Sequence, residues 1–287
     1  MGLVIAIVCA FFQSAKDLVS KKLAFSVSGV VSAFASFVFA LPFYAVLLFA
    51  LWAAGLESFI FSSRFIQYVV IRSITDVAAE WLKMSALRRG EISLLACFFN
   101  LGPLFLLVTS PLITGDQTSP LGVLAVVTVV AGSLITVYDP NAKGTGGFSA
   151  QKSGIGLALL SAFFMSLNSC FDRLAALEAS PVLSGFAMTA LSAVFLLPFV
   201  IARGVGSELR GHYKPFFIRG ALETIFMITK IWALQYMNAP SVIAIQRVNV
   251  VFTVIGGRVL YNEKQFGRRL AGAIVVLAGV LMTIFAL

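Results

Sequence analysis

The sequence predicts an all-α polytopic membrane protein whose ten transmembrane helices form two inverted five-helix repeats. Three observations support this fold class: the composition, the length of the apolar runs and an internal repeat. Of the 287 residues, 60% are hydrophobic and only 11% are charged, whereas a soluble globular chain carries about 25% charged residues. This scarcity of charge excludes an ordinary soluble domain.

The apolar runs have the length of membrane-spanning helices. A helix needs about 20 apolar residues to cross a bilayer, whereas the strands of a membrane barrel alternate over only about 10 residues. The first run has no basic residue before it and is interpreted as a span, not as a signal peptide. We predict spans at 3–23, 27–53, 65–87, 92–113, 121–137, 154–174, 182–202, 215–236, 241–261 and 269–287.

A polar interval divides the chain almost in half. Residues 139–153 contain Asp139-Pro140-Asn141 and a glycine cluster, both of which favour turns. No strand precedes the glycines and no Gly-Lys-Ser/Thr follows them, so they do not form a phosphate-binding loop. The sequence therefore predicts a first five-helix repeat in 1–138, a linker in 139–153 and a second repeat in 154–287.

The second half of the chain repeats the first at an offset of 147 residues. Because each repeat holds an odd number of spans, the two halves are expected to cross the membrane in opposite directions, as in many secondary transporters. The offset aligns Arg72 with Arg219, Asp76 with Glu223, Lys83 with Lys230, and Asp116 with Glu263.

The net charge of +9 is explained largely by topology. Thirteen basic residues lie at the gaps that follow odd-numbered spans, and only Arg64 and Arg173 lie on the opposite side. The positive-inside rule places the richer side in the cytoplasm and both termini outside. We therefore expect the chain to lie in a lipid bilayer and not to bind nucleic acid. Its expected location is a bacterial cytoplasmic (inner) membrane.

The remaining basic residues lie within spans, where a charge costs about 2.5–3.5 kcal/mol and usually faces a wet cavity or a partner. Set against four embedded acids, they leave a positive surplus that favours a cargo with a carboxylate or phosphate group. The cations are Lys16, Arg72, Lys83, Arg219, Lys230 and Arg247, and the acids are Asp17, Asp76, Glu80 and Glu223.

The third span concentrates these charges on one helical face. Arg72, Asp76, Glu80 and Lys83 follow one another at intervals of four, four and three. We expect the basic residues of this face, and Lys230 of the eighth span, to bind substrate. Asp76, Glu80 and Glu223 are expected to couple protons or to form ion pairs. The alternative is that Arg72–Asp76 and Arg219–Glu223 are simple i,i+4 pairs.

The ninth span contains Arg247, which has no acid within four residues on its own helix. Its counter-charge is expected from another helix or from the cargo. Gln246 and Asn100, which the offset aligns with Arg247, are further substrate-binding candidates, although such amides can also hold helices together. Trp232 and Tyr236 are expected to shape the pocket.

Residues for other chemistry are scarce. The single histidine, His212, lies in a polar gap, and Cys9, Cys97 and Cys170 all lie in apolar runs. Neither a zinc site nor a Ser-His-Asp triad is indicated. We expect no metal, no cofactor and no enzymatic activity.

The ends of the two halves resemble the EamA-type proteins of the drug/metabolite transporter superfamily. In the second half, Thr253–Glu263 is followed by the glycine-rich 272–279; in the first, Leu104–Asp116 is followed by Ala131-Gly132, with Asp116 in place of the usual Glu. The resemblance covers nearly the whole chain. It implies a ten-helix exporter or exchanger of small metabolites that works by alternating access.

The residues and the resemblance together predict a secondary transporter of a small polar metabolite, anionic or zwitterionic, such as an amino acid, with possible proton coupling. An organophosphate or nucleotide-sugar exchanger is the alternative within transport. A non-transporting membrane scaffold or lipid-handling subunit is the alternative from another class.

Overall fold

The computed structural model describes residues 1–23, 29–57, 59, 61–87, 89, 95, 98–137, 148–202, 213–261 and 266–286. Helices dominate these residues, and no strand occurs among them. The helices are α1 (Gly2–Leu23), α2 (Gly29–Ala53), α3 (Ser63–Leu87), α4 (Gly102–Ile113), α5 (Pro120–Val137), α6 (Phe148–Glu178), α7 (Pro181–Ile201), α8 (Tyr213–Tyr236), α9 (Ala239–Gln246), α10 (Asn249–Tyr261) and α11 (Phe266–Phe285).

Several of these helices are long and apolar enough to cross a membrane. Five candidate spans meet that description by length and composition: Gly2–Ser20, Val31–Ala53, Lys152–Glu178, Pro181–Ile201 and Ala239–Gly256. Shorter apolar helices cover Gly102–Ile113, Pro120–Thr136 and Arg269–Phe285. The helices α3 and α8 have suitable length but carry the embedded charges. The predicted all-α polytopic membrane fold is confirmed.

Two predicted spans are not continuous helices. The span expected at 241–261 consists of α9 and α10, separated at Arg247 and Val248, and the one expected at 92–113 contains a turn at Asn100 and Leu101 before α4 begins. Apolar composition alone could not predict these breaks, because it does not report the local backbone hydrogen bonds.

The region around the predicted linker also differs from expectation. Helix α6 begins at Phe148, inside the segment 139–153. Residues 139–147 lie outside the described residues, as do Cys97, His212 and several of the basic residues used to predict topology: Arg88, Lys143, Arg203, Arg210 and Lys264. The division into repeats at 1–138 and 154–287 stays a prediction.

The chain forms two compact units, each of which takes segments from both sequence halves. The first unit comprises Met1–Val77 and Phe171–Met237, and the second comprises Ala78–Cys170 and Asn238–Leu287. In the first unit α1 packs on α8, and α2 packs on α7 and α8. Gly220 allows α8 to approach α2, since a Cβ there would lie 2.4 Å from the carbonyl oxygen of Phe39.

In the second unit α5 packs along α11, and glycines bring the two backbones together. A Cβ on Gly132 would lie 2.5 Å from the backbone nitrogen of Val276, and a Cβ on Gly272 would lie 2.6 Å from that of Thr136. Small residues at such positions let membrane helices gain dispersion contacts that lipid cannot supply. The second unit therefore depends on these glycines.

We predict that Gly272→Ala lowers the free energy of unfolding by about 1–3 kcal/mol, because the added methyl group overpacks the α5–α11 contact. Gly267→Ala on the same helix is the matched control, since a Cβ there meets nothing within 4 Å. Denaturant unfolding of both variants in detergent measures the difference. Equal stability of the two variants would contradict the proposed role of Gly272.

Candidate substrate site in the membrane

The first unit contains a buried network of charges centred on Asp172 of α6. This side chain is fully buried, and its two carboxylate oxygens accept hydrogen bonds from two different helices. Arg72 Nε of α3 donates to Oδ1 at 3.0 Å, and Lys230 Nζ of α8 donates to Oδ2 at 2.6 Å. One carboxylate thus joins three helices.

A second acid completes this network. Asp76, one turn after Arg72, accepts from its guanidinium NH1 at 2.9 Å. Ser192 of α7 contacts both, with its hydroxyl 3.3 Å from Arg72 NH1 and 3.4 Å from Asp76 Oδ2. The network, defined as Arg72, Asp76, Asp172 and Lys230, therefore holds two positive and two negative groups and is neutral as a whole.

A separate ion pair lies on the neighbouring faces of α1 and α8. Lys16 Nζ is 3.1 Å from Glu223 Oε2, which also accepts from the hydroxyl of Ser36 at 3.1 Å. The same ammonium lies 4.0 Å from the ring centroid of Phe226, a distance that permits a cation–π interaction. Glu223 is thus neutralised from α1.

Tyr44 of α2 lies within electrostatic range of both groups of charges. Its side chain is fully buried, and it interacts with Glu223, Arg72 and Asp172. Its hydroxyl lies against Gly185 of α7, where a Cβ would be only 2.6 Å from the phenolic oxygen. Tyr44 therefore fills the space around the charges on the side of α2 and α7.

The structure brings three of the sequence-predicted residues together in the first unit and places a fourth in a separate ion pair. Arg72 and Lys230 meet at Asp172, Asp76 pairs with Arg72, and Glu223 pairs with Lys16. The i,i+4 contact expected between Arg72 and Asp76 is present. Arg219 donates to the backbone carbonyl of Ser32 at 2.6 Å.

Other predicted residues occupy more exposed positions. On α8, Trp232 and Tyr236 are 37% and 54% exposed. In the second unit, Lys83 Nζ lies 3.5 Å from Glu80 Oε2, and the Lys83 side chain is 39% exposed. A substrate-binding role for Lys83, Trp232 and Tyr236, and a coupling role for Glu80, stay predictions.

Arg247 and Asn100 meet in the second unit. The guanidinium NH1 of Arg247 donates to Asn100 Oδ1 at 2.7 Å, so the two positions aligned by the repeat touch each other. Gln246, the neighbouring candidate, is buried. One partner of Arg247 is thus the amide of Asn100, the residue that the offset aligns with it.

The backbone hydrogen bonds around Asn100 and around Arg247, 147 residues later, follow the same pattern. Around Arg247 the bonds run from Val248 N to Ile245 O and from Val251 N to Val248 O; around Asn100 they run from Leu101 N to Phe98 O and from Leu104 N to Leu101 O. These are i→i−3 bonds of the 3₁₀ type, which often mark hinges or functional positions inside longer helices.

The contact between Arg247 and Asn100 lies where the regular helical hydrogen bonding is interrupted. Secondary transporters place binding sites at discontinuous helices. The Arg247–Asn100 contact is therefore a second candidate position, within its own unit.

The central residue of the network, Asp172, was not among the predicted site residues. The sequence predicts four embedded acids and a positive surplus of two, and the buried Asp172 is a fifth embedded acid. A usable indication was available: Asp172 lies in an apolar span and has no basic residue three or four positions away. Lys16, one of the predicted embedded cations, pairs with Glu223, whereas Ser36 and Ser192 were not predicted to contact the charges.

None of the described residues forms a group of three or more His, Cys, Asp or Glu side chains able to hold a metal ion. The chemistry that the network offers is that of ion pairing. Its cations can bind an oxyanion, its carboxylates can bind an ammonium group or a proton, and Ser192 can donate or accept a hydrogen bond.

Comparisons with known proteins agree with this fold. Residues 152–285 match the EamA-like transporter family. A crystal structure of another protein superimposes with a TM-score of 0.78 over 99% of this chain and 98% of the other, at 16% sequence identity. In all, 28 solved chains match. No curated protein matches the sequence.

The helices and the buried charges define an integral, multi-pass membrane protein. The match to the EamA-like transporter family covers residues 152–285, slightly less than half of the chain, and it confirms the resemblance predicted from the sequence. The structural similarity extends the fold over the first half, which the family match does not cover. The family is one of transporters, which agrees with the coarse function predicted from the sequence.

We predict that Asp172→Asn lowers the free energy of unfolding by about 3–5 kcal/mol, because Lys230 then keeps a buried charge without its acid. The double variant Asp172→Asn with Lys230→Met removes that charge and should recover much of the loss. Glu80→Gln is the control at a partly exposed pair and should cost less than about 1 kcal/mol. Equal losses in the single and double variants, measured by unfolding in detergent, would contradict the pairing.

Proposed function

We propose that the protein is a secondary active transporter that moves a small polar metabolite, anionic or zwitterionic, such as an amino acid, by alternating access. The cytoplasmic (inner) membrane of a bacterium is its proposed location. The network of Arg72, Asp76, Asp172 and Lys230 is the proposed substrate site. The observation that carries this proposal is the fully buried Asp172 held between two cations from different spans.

Stability alone is a poor reason for such a network. Replacing a buried ion pair by apolar residues of similar volume is often neutral or stabilising by 1–4 kcal/mol, because the charges must give up their hydration. Within a membrane, ionisable residues that face the protein interior usually mark the path of a substrate or an ion. In a transporter family, a substrate site is the simplest function for these charges.

Proton coupling is the finer part of the proposal. The carboxylates of Asp76 and Glu223 each face a cation, at 2.9 Å and 3.1 Å. A cargo that competes for that cation would free the carboxylate to take up a proton. Uptake that does not respond to a pH gradient would remove coupling from the proposal and leave transport intact.

The alternatives make different demands on the site. An organophosphate or nucleotide-sugar exchanger must offset at least two negative charges, and the neutral network supplies no net positive charge for them. A non-transporting scaffold needs the charges only for folding. Such a scaffold predicts that neutralising Lys230 changes stability and nothing else.

The test is uptake by purified protein in proteoliposomes, using labelled amino acids, carboxylates and phosphorylated metabolites. We expect Lys230→Met to reduce transport of the accepted cargo about 30-fold or more, the effect of losing roughly 2 kcal/mol or more of binding to one charged partner. Lys214→Met, an exposed position on the same helix, should transport like the unmodified protein.

A folded Lys230→Met protein with unchanged uptake would refute the proposed site. The absence of uptake for every class of cargo by the unmodified, correctly folded protein would favour the scaffold. Folding is checked independently by size-exclusion behaviour and by the unfolding midpoint.

A further inference from the structure

We infer that two crossed serine–glutamate contacts at one end of the first unit form a gate, which closes the network to that side of the membrane and must open for cargo to pass there. The gate is defined as Glu57, Ser62, Glu178 and Ser180. This inference rests on the proposed function and deepens it, because it assigns the contacts that must break in one half of the alternating-access cycle.

The two contacts of the gate have the same construction. Ser180, immediately before α7, donates its hydroxyl proton to Oε2 of Glu57, which follows α2, at 2.6 Å. Ser62, immediately before α3, donates to Oε2 of Glu178, the last residue of α6, at 2.8 Å. The segment between α2 and α3 and the turn between α6 and α7 are therefore tied together twice.

The carboxylates of the gate are not needed to cap the helices. Ser180 Oγ accepts from the backbone nitrogen of Leu183 at 3.1 Å, and Ser62 Oγ accepts from that of Phe65 at 3.0 Å. Each serine is thus already an N-cap through its oxygen, and its hydroxyl proton stays available for another acceptor. The glutamates use that proton to link separate elements.

The end of α6 is also bonded to the end of α8. Gln235 Nε2 donates to the carbonyl oxygens of Ala176 at 2.9 Å and Ala179 at 3.3 Å. In the other direction, NH1 of Arg173 donates to the carbonyl oxygen of Leu234. The last carbonyls of a helix have no donor within that helix, so these bonds hold the two helix ends together.

The gate lies at one end of the helices that carry the network. The beginnings of α3 and α7 meet the ends of α6 and α8 there. Asp172 lies six residues before Glu178 on α6, and Lys230 lies six residues before Tyr236, the last residue of α8. Six residues of helix span about 9 Å. A cargo that reaches the network from this end must therefore pass between the helix ends that the gate ties together.

The polar groups of the gate can separate at little cost. All four of its residues are half-buried, whereas Asp172 is fully buried. Water that reaches the separated serines and glutamates replaces the hydrogen bonds that they lose. Opening the gate therefore leaves no polar group unsatisfied, and both serines keep their helix caps.

Spin labels beside the gate test this inference without any cargo. Leu56 and Leu177 are 77% and 59% exposed and precede Glu57 and Glu178. The full chain carries labels at Leu56→Cys and Leu177→Cys, with the native cysteines replaced, and electron paramagnetic resonance in proteoliposomes gives the separation of the labels. We expect two separations, a shorter one for the closed gate and a longer one for the open gate.

The double variant Glu57→Ala with Glu178→Ala removes both links and keeps both caps. It should raise the ratio of open to closed protein about tenfold or more, because it removes two hydrogen bonds to charged groups. Glu57→Gln with Glu178→Gln is the matched control and should raise the ratio less, since the amide oxygens still accept from the serines. If the alanine variant does not fold, the separations in the labelled protein without it still decide.

A cross-link tests the part of the gate in transport. A short reagent with two methanethiosulfonate groups joins Ser62→Cys to Glu178→Cys, and a reducing agent releases it. Proteoliposomes are given the labelled amino acids, carboxylates and phosphorylated metabolites. Uptake should fall to that of empty liposomes after cross-linking and should recover after reduction. Each single-cysteine variant treated with the same reagent is the control and should keep its uptake.

A single separation of the spin labels, unchanged in the alanine variant, would overturn the inference. Normal uptake by the cross-linked protein would also overturn it. If the unmodified, folded protein takes up none of the labelled compounds, the proposed function fails, and the separations of the spin labels alone then decide whether the gate opens.

Discussion

A charge inside a membrane must find its counter-charge within the protein, because the hydrocarbon core supplies no water to solvate it. In this protein that constraint is met at Asp172, where a fully buried carboxylate binds cations from α3 and α8. The position of Asp172 fixes which faces of three helices point inward. Asp76 and Ser192 give these charges further polar partners, and Tyr44 packs closely beside them.

The second unit meets a different constraint, the close approach of backbones. Glycines join α5 to α11, and the 3₁₀ bonds at Asn100–Leu101 and Arg247–Val248 interrupt two helices at repeat-equivalent positions. The same backbone hydrogen-bond pattern occurs at these two positions, which lie 147 residues apart.

The sequence predicted the fold well, because apolar runs of helical length leave little choice of structure in a membrane. It also identified Arg72, Asp76, Lys230 and Glu223 as charges with structural or functional partners. It could not assign those partners: Asp172 lies about one hundred residues after Arg72, and only tertiary packing brings them within 3.0 Å. Nor were the helix breaks predicted, although Gln246, Arg247 and Asn249 interrupt the apolar run and Gly102-Pro103 follows the turn at Asn100. Glu80 and Lys83 illustrate the limit of periodicity, because they share a helical face with Arg72 and Asp76 but form a more exposed ion pair.

The central claim is that water and cargo reach the network around Asp172, which distinguishes a transport site from a packed structural ion pair. The most direct measurement is the reaction of Ser192→Cys, in a background in which Cys9, Cys97 and Cys170 are replaced, with a hydrophilic methanethiosulfonate reagent in proteoliposomes. Ser192 contacts both Arg72 and Asp76. We predict that the reagent modifies this cysteine, that modification blocks transport, and that the cargo slows the reaction. A modified protein that transports normally, or a transporting protein in which the cysteine never reacts, would contradict the account.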